Sequence, residues 1–323
     1  VGGNREAYIL FTQNESIITN YQYSTDNGAT FREFNPPQIY SPVNITTLSS
    51  DGVTQLTNGV TYTVKLKGVN SAGISSESAS VDVTPEVTSL LSTGRLIYLD
   101  ANNSSSYSGS GTTWTNLDSG GSYSATLNGA PTFDTTTEAG NKYFDFNRGA
   151  AAGQFAQINQ AAAINPVLNT PFTIQLWARI NNVGSSGTLV SKIFGAEKDF
   201  DGYNLVYLSE NQLQLHLNSV TQDNRFKSVT GVLTNGWALY TANVQFGNGG
   251  GRQNRIFVNG RQVMTVTSNE GAINPLRNDQ NLTFPAGFGG DGECEIGQFH
   301  YYTAELTTTQ IIQNFDATKH RYL

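Results

Sequence analysis

Apolar and polar residues alternate with period two along most of the chain. Leu213, Leu215 and Leu217 flank Gln214 and His216, and Ile174, Leu176, Ala178 and Ile180 flank Gln175, Trp177 and Arg179. Tyr62, Val64 and Leu66 flank Thr63 and Lys65 in the same way. A strand turns successive side chains to opposite faces, so each run predicts a strand with an apolar core face and a mostly polar outer face. Asn27-Gly28, Asp51-Gly52, Asn58-Gly59, Asn128-Gly129, Asn235-Gly236 and Asn259-Gly260 mark turns between such runs, because both residue types reach positive φ at low cost. The clearest hairpin is Ile256 to Val263 around Asn259-Gly260. One helix is expected, over Leu306 to Phe315, with a threonine cap and a glutamine three residues on. Ile311, Ile312 and Phe315 share one of its faces.

The pattern breaks once. Val81-Asp82-Val83-Thr84-Pro85 closes one set of strands and Arg95-Leu96-Ile97-Tyr98-Leu99-Asp100 opens another. The expected division is a domain over 1–87, a linker over 88–94 and a second domain over 95–323. Composition fits two such bodies: 323 residues, 37% hydrophobic and 11% aromatic, supply core material and set the chain apart from disordered sequences. Net charge is −7 with no Lys/Arg cluster, which argues against nucleic acid. No apolar run approaches the roughly 20 residues of a membrane span, so membrane insertion is not expected. The single cysteine, Cys294, excludes an intrachain disulfide and reads as a buried, hydrophobe-like thiol. Val1-Gly2-Gly3 starts in mid-pattern without a methionine, the expectation being a fragment or processed product.

Tyr21 to Gly28, Gly59 to Gly73 and Ser76 to Pro85 resemble the C strand, the E–F corner with the F strand, and the G strand of a fibronectin type III domain. Tyr62 falls where that family keeps a corner tyrosine whose hydroxyl caps backbone. Strand A is not evident, and the domain is expected to lack it. Tyr98 to Tyr107, Thr113 to Leu117, Lys142 to Asn147, Phe172 to Arg179, Asn235 to Tyr240, the Asn259-Gly260 hairpin and Glu295 to Tyr302 follow one another as in laminin G-like, concanavalin A-like modules. The expected fold is therefore all-β: an immunoglobulin-like fibronectin type III sandwich, then a concanavalin A-like jelly-roll sandwich with a short C-terminal helix.

The resemblance implies a non-enzymatic protein of a virion surface, of phage type (fibre, tail or capsid decoration). It would sit on the virion or extracellularly, form an oligomer, and bind host-surface glycans or neighbouring virion proteins. The alternative is an accessory carbohydrate-binding region of a secreted bacterial surface protein or glycoside hydrolase. Hydrolases of this fold place paired carboxylates about a Glu-x-Asp-x-x-Glu pattern; Glu293-Cys294-Glu295 is the nearest approach and lacks the central Asp and the partner. The three histidines, His216, His300 and His320, belong to no triad or metal pattern. Many members of the family hold calcium through loop carboxylates, which makes Asp199, Asp201 and Asp291 candidate metal ligands, with turn formation the alternative at each. Trp114, Trp177 and Trp237 match positions the family uses for packing. Tyr203, with Asn204 and Asp201 in an expected loop, is then the candidate sugar contact, since sugars need an aromatic platform beside hydrogen-bonding groups.

Overall fold

The computed structural model describes residues 1–12, 17–135, 141–146, 153–165, 170–194, 201–219, 222–245, 252–268, 280–285 and 293–323. The chain divides into two compact units, Val1–Leu91 with Thr308–His320, and Ser92–Thr307 with Arg321–Leu323.

In the first unit the strands are β1 (Gly2–Gly3), β2 (Glu6–Ile9), β3 (Asn20–Ser24), β4 (Arg32–Glu33), β5 (Val43–Ile45), β6 (Tyr62–Asn70), β7 (Gly73–Ile74) and β8 (Val81–Val83). They form a three-stranded sheet in the order β1-β2-β5 and a five-stranded sheet β4-β3-β6-β7 in which β8 also pairs with β6. The alternating residues close on one core: Ala7, Ile9, Val43 and Ile45 meet Tyr21, Tyr23, Val64, Leu66 and Val83. The Tyr62 hydroxyl accepts a hydrogen bond from the Thr57 N–H at 3.0 Å. At the N-terminal edge, where no first strand was evident, β1 pairs antiparallel with β2, Gly2 opposite Ala7.

The helix α1 (Thr308–Lys319) buries Ile311, Ile312 and Phe315, the face that the spacing predicts. It belongs to the first unit, not to the second domain as the sequence order suggested. The physical reason is a buried polar knot. Asp316 accepts hydrogen bonds from the Asn4 N–H at 2.9 Å, the Tyr8 hydroxyl at 3.2 Å and the Thr88 hydroxyl. Lys319 pairs with Asp316 at 2.9 Å and with Glu6. Burial alone would push the Asp316 carboxyl up; the bonds from Thr88, Lys319 and Asn4 outweigh it and hold it below the usual carboxylate value.

The second unit contains β9 (Arg95–Asp100), β10 (Thr113–Trp114), β11 (Ala125–Asn128), β12 (Thr132–Asp134), β13 (Tyr143–Phe146), β14 (Phe155–Ile158), β15 (Phe172–Ile180) and β16 (Gly187–Phe194). It continues with β17 (Asp201–Leu208), β18 (Gln212–Ser219), β19 (Gln222–Lys227), β20 (Trp237–Val244), β21 (Arg252–Val258), β22 (Arg261–Ser268), β23 (Leu282–Phe284) and β24 (Cys294–Tyr302). One sheet runs β10-β11-β14-β23-β16-β17-β18-β19; the other runs β12-β13-β24-β15-β20-β21-β22, with β9 also on β24. Their inner faces interdigitate in a single core that includes Leu213, Leu215, Leu217, Ile174, Leu176, Phe144, Ile296 and Phe299. Each such side chain contributes on the order of 1.5–3 kcal/mol by burial. The β21–β22 hairpin turns at Asn259 and Gly260 with φ of 51° and 76°, the pair of positive values that a two-residue turn of type I′ requires.

Strand β15 departs from the expected pattern. Its polar face, Thr173, Gln175 and Trp177, is as buried as its apolar face. The chain after β24 covers that face: the Thr173 hydroxyl donates to the Ala304 carbonyl at 2.8 Å, and the Tyr322 ring stacks on Trp177 at 4.5 Å.

Replacing Asp316 by alanine is expected to cost the first unit about 3 kcal/mol. Hydrogen exchange should show roughly a hundredfold loss of protection in β2, with β20 and β24 unchanged.

Candidate functional site

The structure separates the residues that the sequence grouped as a sugar contact. Tyr203 and Asn204 lie in β17, not in a loop. Tyr203 points into the core, 1% exposed, its ring 4.7 Å from Phe172. Burial pushes its hydroxyl well up. A ring so placed offers no platform to a sugar, and that expectation is corrected. Asn204 faces the opposite way, in register with Ser191 and His216, and is also buried. Asp201 begins β17 opposite Phe194. Asp199 and Asp291 lie outside the described residues, and among the described residues no group of three His, Cys, Asp or Glu side chains could hold a metal ion. Trp114 and Trp177 are fully buried, as family packing implied.

Trp237 is different: it is half-buried, at the start of β20. Its neighbours follow from strand register, because directly opposed residues of an antiparallel pair share a face. Asp145 of β13 opposes Glu295 of β24, Glu295 opposes Arg179 of β15, and Arg179 opposes Trp237. The alternate residues Phe144, Phe146, Cys294, Ile296, Ala178, Ile180 and Ala238 all enter the core. The outer face at this end of the sheet therefore carries Tyr143, Asp145, Glu295, Arg179 and Trp237 side by side.

A bulge sets this arrangement. Between Trp177 and Ala178 the register on β24 jumps from Gln298 to Ile296, so Gly297 is the extra residue. Cys294 and Ile296 point inward before it, Phe299 and Tyr301 after it. Without the bulge, Glu295 would share the inward parity of Phe299. A Cβ on Gly297 would meet the Tyr322 hydroxyl at 2.5 Å and its ring carbons at 2.6 and 2.8 Å.

Within the cluster, Arg179 Nη2 donates to Glu295 Oε1 at 2.5 Å. The guanidinium carbon lies 5.9 Å from the ring centroids of both Tyr143 and Trp237. The Trp237 ring continues at 5.3 Å to Tyr143 and at 5.0 Å to Tyr322. The Tyr143 hydroxyl donates to Asp134 Oδ2 at 3.0 Å. Arg179 is the open member, its side chain 37% exposed against 8% for Glu295.

Burial is the main reason the Glu295 carboxyl is raised; Arg179 opposes the rise, and the charges of Asp145 and Asp134 add to it. The Asp145 carboxyl is raised by burial first and then by Asp134 and Glu293, against Arg179 and a side-chain hydrogen bond from Asn181. The Tyr143 hydroxyl is pushed up to about 12 by burial, by Glu295 and by its bond to Asp134. Glu295 Oε2 is buried with no hydrogen-bond partner. An indole edge, carboxylate acceptors and a guanidinium donor on one face suit a polyhydroxy ligand. The same geometry fits hydrolysis poorly, because the more buried carboxylate is already held by Arg179. Cys294 faces the core, where burial pushes its thiol up, in keeping with the inert thiol the sequence suggested.

Sequence reasoning found Glu295 and looked for its partner nearby. The partner, Asp145, stands on a strand 150 positions upstream. The one local signal was Tyr143-Phe144-Asp145-Phe146, an alternation that sets a carboxylate opposite to two phenylalanines.

A family model described as the concanavalin A-like lectin/glucanases superfamily, laminin G type, matches residues 151–312, half of the chain. Among solved structures, the binding domain of botulinum neurotoxin DC in complex with rat synaptotagmin II is similar over 69% of this chain and 51% of that one, at 14% identity and a TM-score of 0.53. The binding domain of Paraclostridial Mosquitocidal Protein 1 is similar over 69% and 52%, at 13% identity and a TM-score of 0.53. The botulinum neurotoxin DC binding domain in complex with SialylT gives 70% and 52%, 14% and 0.51. The chain thus spans about half the length of these structures, and the likeness is one of fold. No curated protein matches in sequence.

Two outcomes test the site's construction. Gly297→Ala should destabilise the second unit by about 2 kcal/mol through overpacking, and should perturb the tryptophan fluorescence as Tyr322 leaves Trp177 and Trp237. Asp145 has a raised native carboxyl, so its contribution to stability is complete below the usual carboxylate value and declines as pH rises through the raised one. Asp145→Asn should therefore stabilise the protein at pH 8, by about 0.5–1 kcal/mol for like charges opposed across strands. The gain should vanish near pH 4 in urea denaturation.

Proposed function

The chain belongs to the concanavalin A-like lectin/glucanase superfamily, and on that footing we propose that it is a non-catalytic extracellular glycan-binding protein. Its place would be a phage-type virion surface (fibre, tail or capsid decoration), with neighbouring virion proteins as its other partners and an oligomer as its working form. The observation that carries the reading is the half-buried Trp237 beside Arg179, Asp145 and Glu295 on one open sheet end. Aromatic edge and charged hydrogen-bonding groups are what a sugar's apolar face and hydroxyls need. The botulinum neurotoxin domains of similar fold were solved with a protein, synaptotagmin II, and with SialylT, which supports a recognition role for such a sandwich.

The first unit serves in this proposal as a fibronectin type III-like spacer. Its three- and five-stranded sheets and the Tyr62–Thr57 hydrogen bond support that reading. Calcium enters through Asp199, Asp201 and Asp291, whose side chains lie outside the described set. No helix among the described residues is long and apolar enough to cross a membrane.

A glycan array of the full chain, with and without a calcium chelator, tests the proposal. Wild-type protein is expected to bind a defined glycan set, and Trp237→Ala to weaken that binding at least tenfold, roughly the loss of one aromatic contact. Chelation should reduce binding where calcium orders the loops. A blank array for the wild type under both conditions would overturn the glycan reading.

A further inference from the structure

Among the described residues, the acidic side chains of the rim around Glu295 outnumber the bases acting on them. Asp145 on β13 and Glu295 at the start of β24 oppose each other directly, with Asp134 on β12 and Glu293 just before β24, and among the described residues the base acting on Asp145 and Glu295 is Arg179 of β15. Arg179 is committed to Glu295 Oε1. Glu295 Oε2, on a residue more than nine-tenths buried, has no hydrogen-bond partner. Asp145 Oδ1 is likewise buried and unbonded. Two carboxylate oxygens thus await donors beside an aromatic edge already lying 5.9 Å from one cation.

We propose that this rim recognises a glycan through a free ammonium group, that is, an amino sugar whose nitrogen is not acetylated. The inference rests on the glycan-binding reading and sharpens it. An ammonium supplies three donors and a positive charge in one compact group. Its bond to a carboxylate is roughly twice as strong as one between neutral partners. It would bridge Glu295 Oε2 and Asp145 Oδ1 while the sugar ring lies against Trp237, where a cation is also favoured by the ring face. An anionic sugar would meet the directly opposed carboxylates of Asp145 and Glu295. A metal ion is a poorer occupant, since the described acidic side chains do not converge as a ligand set. Acetylation of the amine removes its charge and two of its donors, and with them the preference.

Titration calorimetry of the full chain at pH 7 compares glucosamine oligomers with N-acetylglucosamine oligomers of equal length. The amine form is expected to bind at least tenfold tighter. The preference should shrink as salt rises from 50 to 500 mM, and as pH falls to 4, where the raised carboxyls of Asp145 and Glu295 take up protons. Asp145→Asn and Glu295→Gln should each reduce it at least tenfold; Asp145→Asn is expected to be the more stable fold, so its loss of binding would not be a loss of structure. Equal binding of both oligomers, abolished by Trp237→Ala, would leave the glycan reading standing and overturn the ammonium. A preference untouched by Asp145→Asn and Glu295→Gln would overturn this rim as its source. No binding of either oligomer, nor of any glycan on the array, would overturn both.

Discussion

The second unit turns on the close approach at Gly297. The Tyr322 ring occupies the space where any other residue would carry its Cβ. The ring is itself fixed, stacked on Trp177 at 4.5 Å and tilted on Trp237 at 5.0 Å. The same glycine is the bulged residue that shifts β24 by one position against β15. A strand without the bulge has one parity along its whole length. With it, Cys294 and Ile296 serve the core on one side of the glycine and Phe299 and Tyr301 on the other. The outward place of Glu295, and hence the acidic rim, is a consequence of that shift.

Past the bulge, the outward parity of β24 falls to Gln298, His300 and Tyr302, all buried. A buried polar row is tolerated only when its groups are bonded. Asp100 does most of this work: Oδ2 accepts from Gln298 at 3.0 Å, from the Tyr98 hydroxyl at 2.8 Å and from Arg321 at 2.7 Å, while Oδ1 accepts from the Asn102 N–H at 2.9 Å. His300 stacks on Tyr98, and burial together with Arg95 and Arg321 keeps it neutral by lowering its affinity for a proton. One strand thus carries two polar regions in opposite conditions. Around Asp100 the charge is matched; around Glu295, among the described residues, acids outnumber the one base, Arg179.

What could be read from the chain follows the range of the physics involved. Side-chain alternation is local, so Leu213, Leu215 and Leu217 declared their face directly. The Asn259-Gly260 turn depends on two adjacent φ values, and the helix on spacing within three turns. Tyr203 failed because Asp201-Gly202 has the chemistry of a turn, yet Gly202 takes φ 141° inside β17 and the alternation runs on through Tyr203, Leu205 and Tyr207 into the core. The allocation of α1 to the first unit depends on Asn4, Tyr8 and Thr88 meeting Asp316, contacts between residues hundreds of positions apart. The rim was hidden twice over. Its four strands are distant in sequence, and counting by twos back from Phe299 across Gly297 puts Glu295 on the wrong face.

The imbalance at the rim is the strongest argument that it is a place of recognition and not of folding. Like charges directly opposed across strands oppose folding, and a buried carboxylate oxygen without a donor costs more than an apolar replacement would. Arg179 offsets part of this at Glu295 and reaches Asp145 only as a neighbouring charge. Elsewhere in the same unit the chain resolves such problems: Asp118 has Arg95 at 2.6 Å and Glu305 has Arg255. Natural sequences break such local rules where something else is gained, and the rim is an open, aromatic-edged cluster that breaks them. A ligand donor that completes Glu295 and Asp145 would remove the cost on binding, so the instability stored in the free protein becomes affinity in the complex.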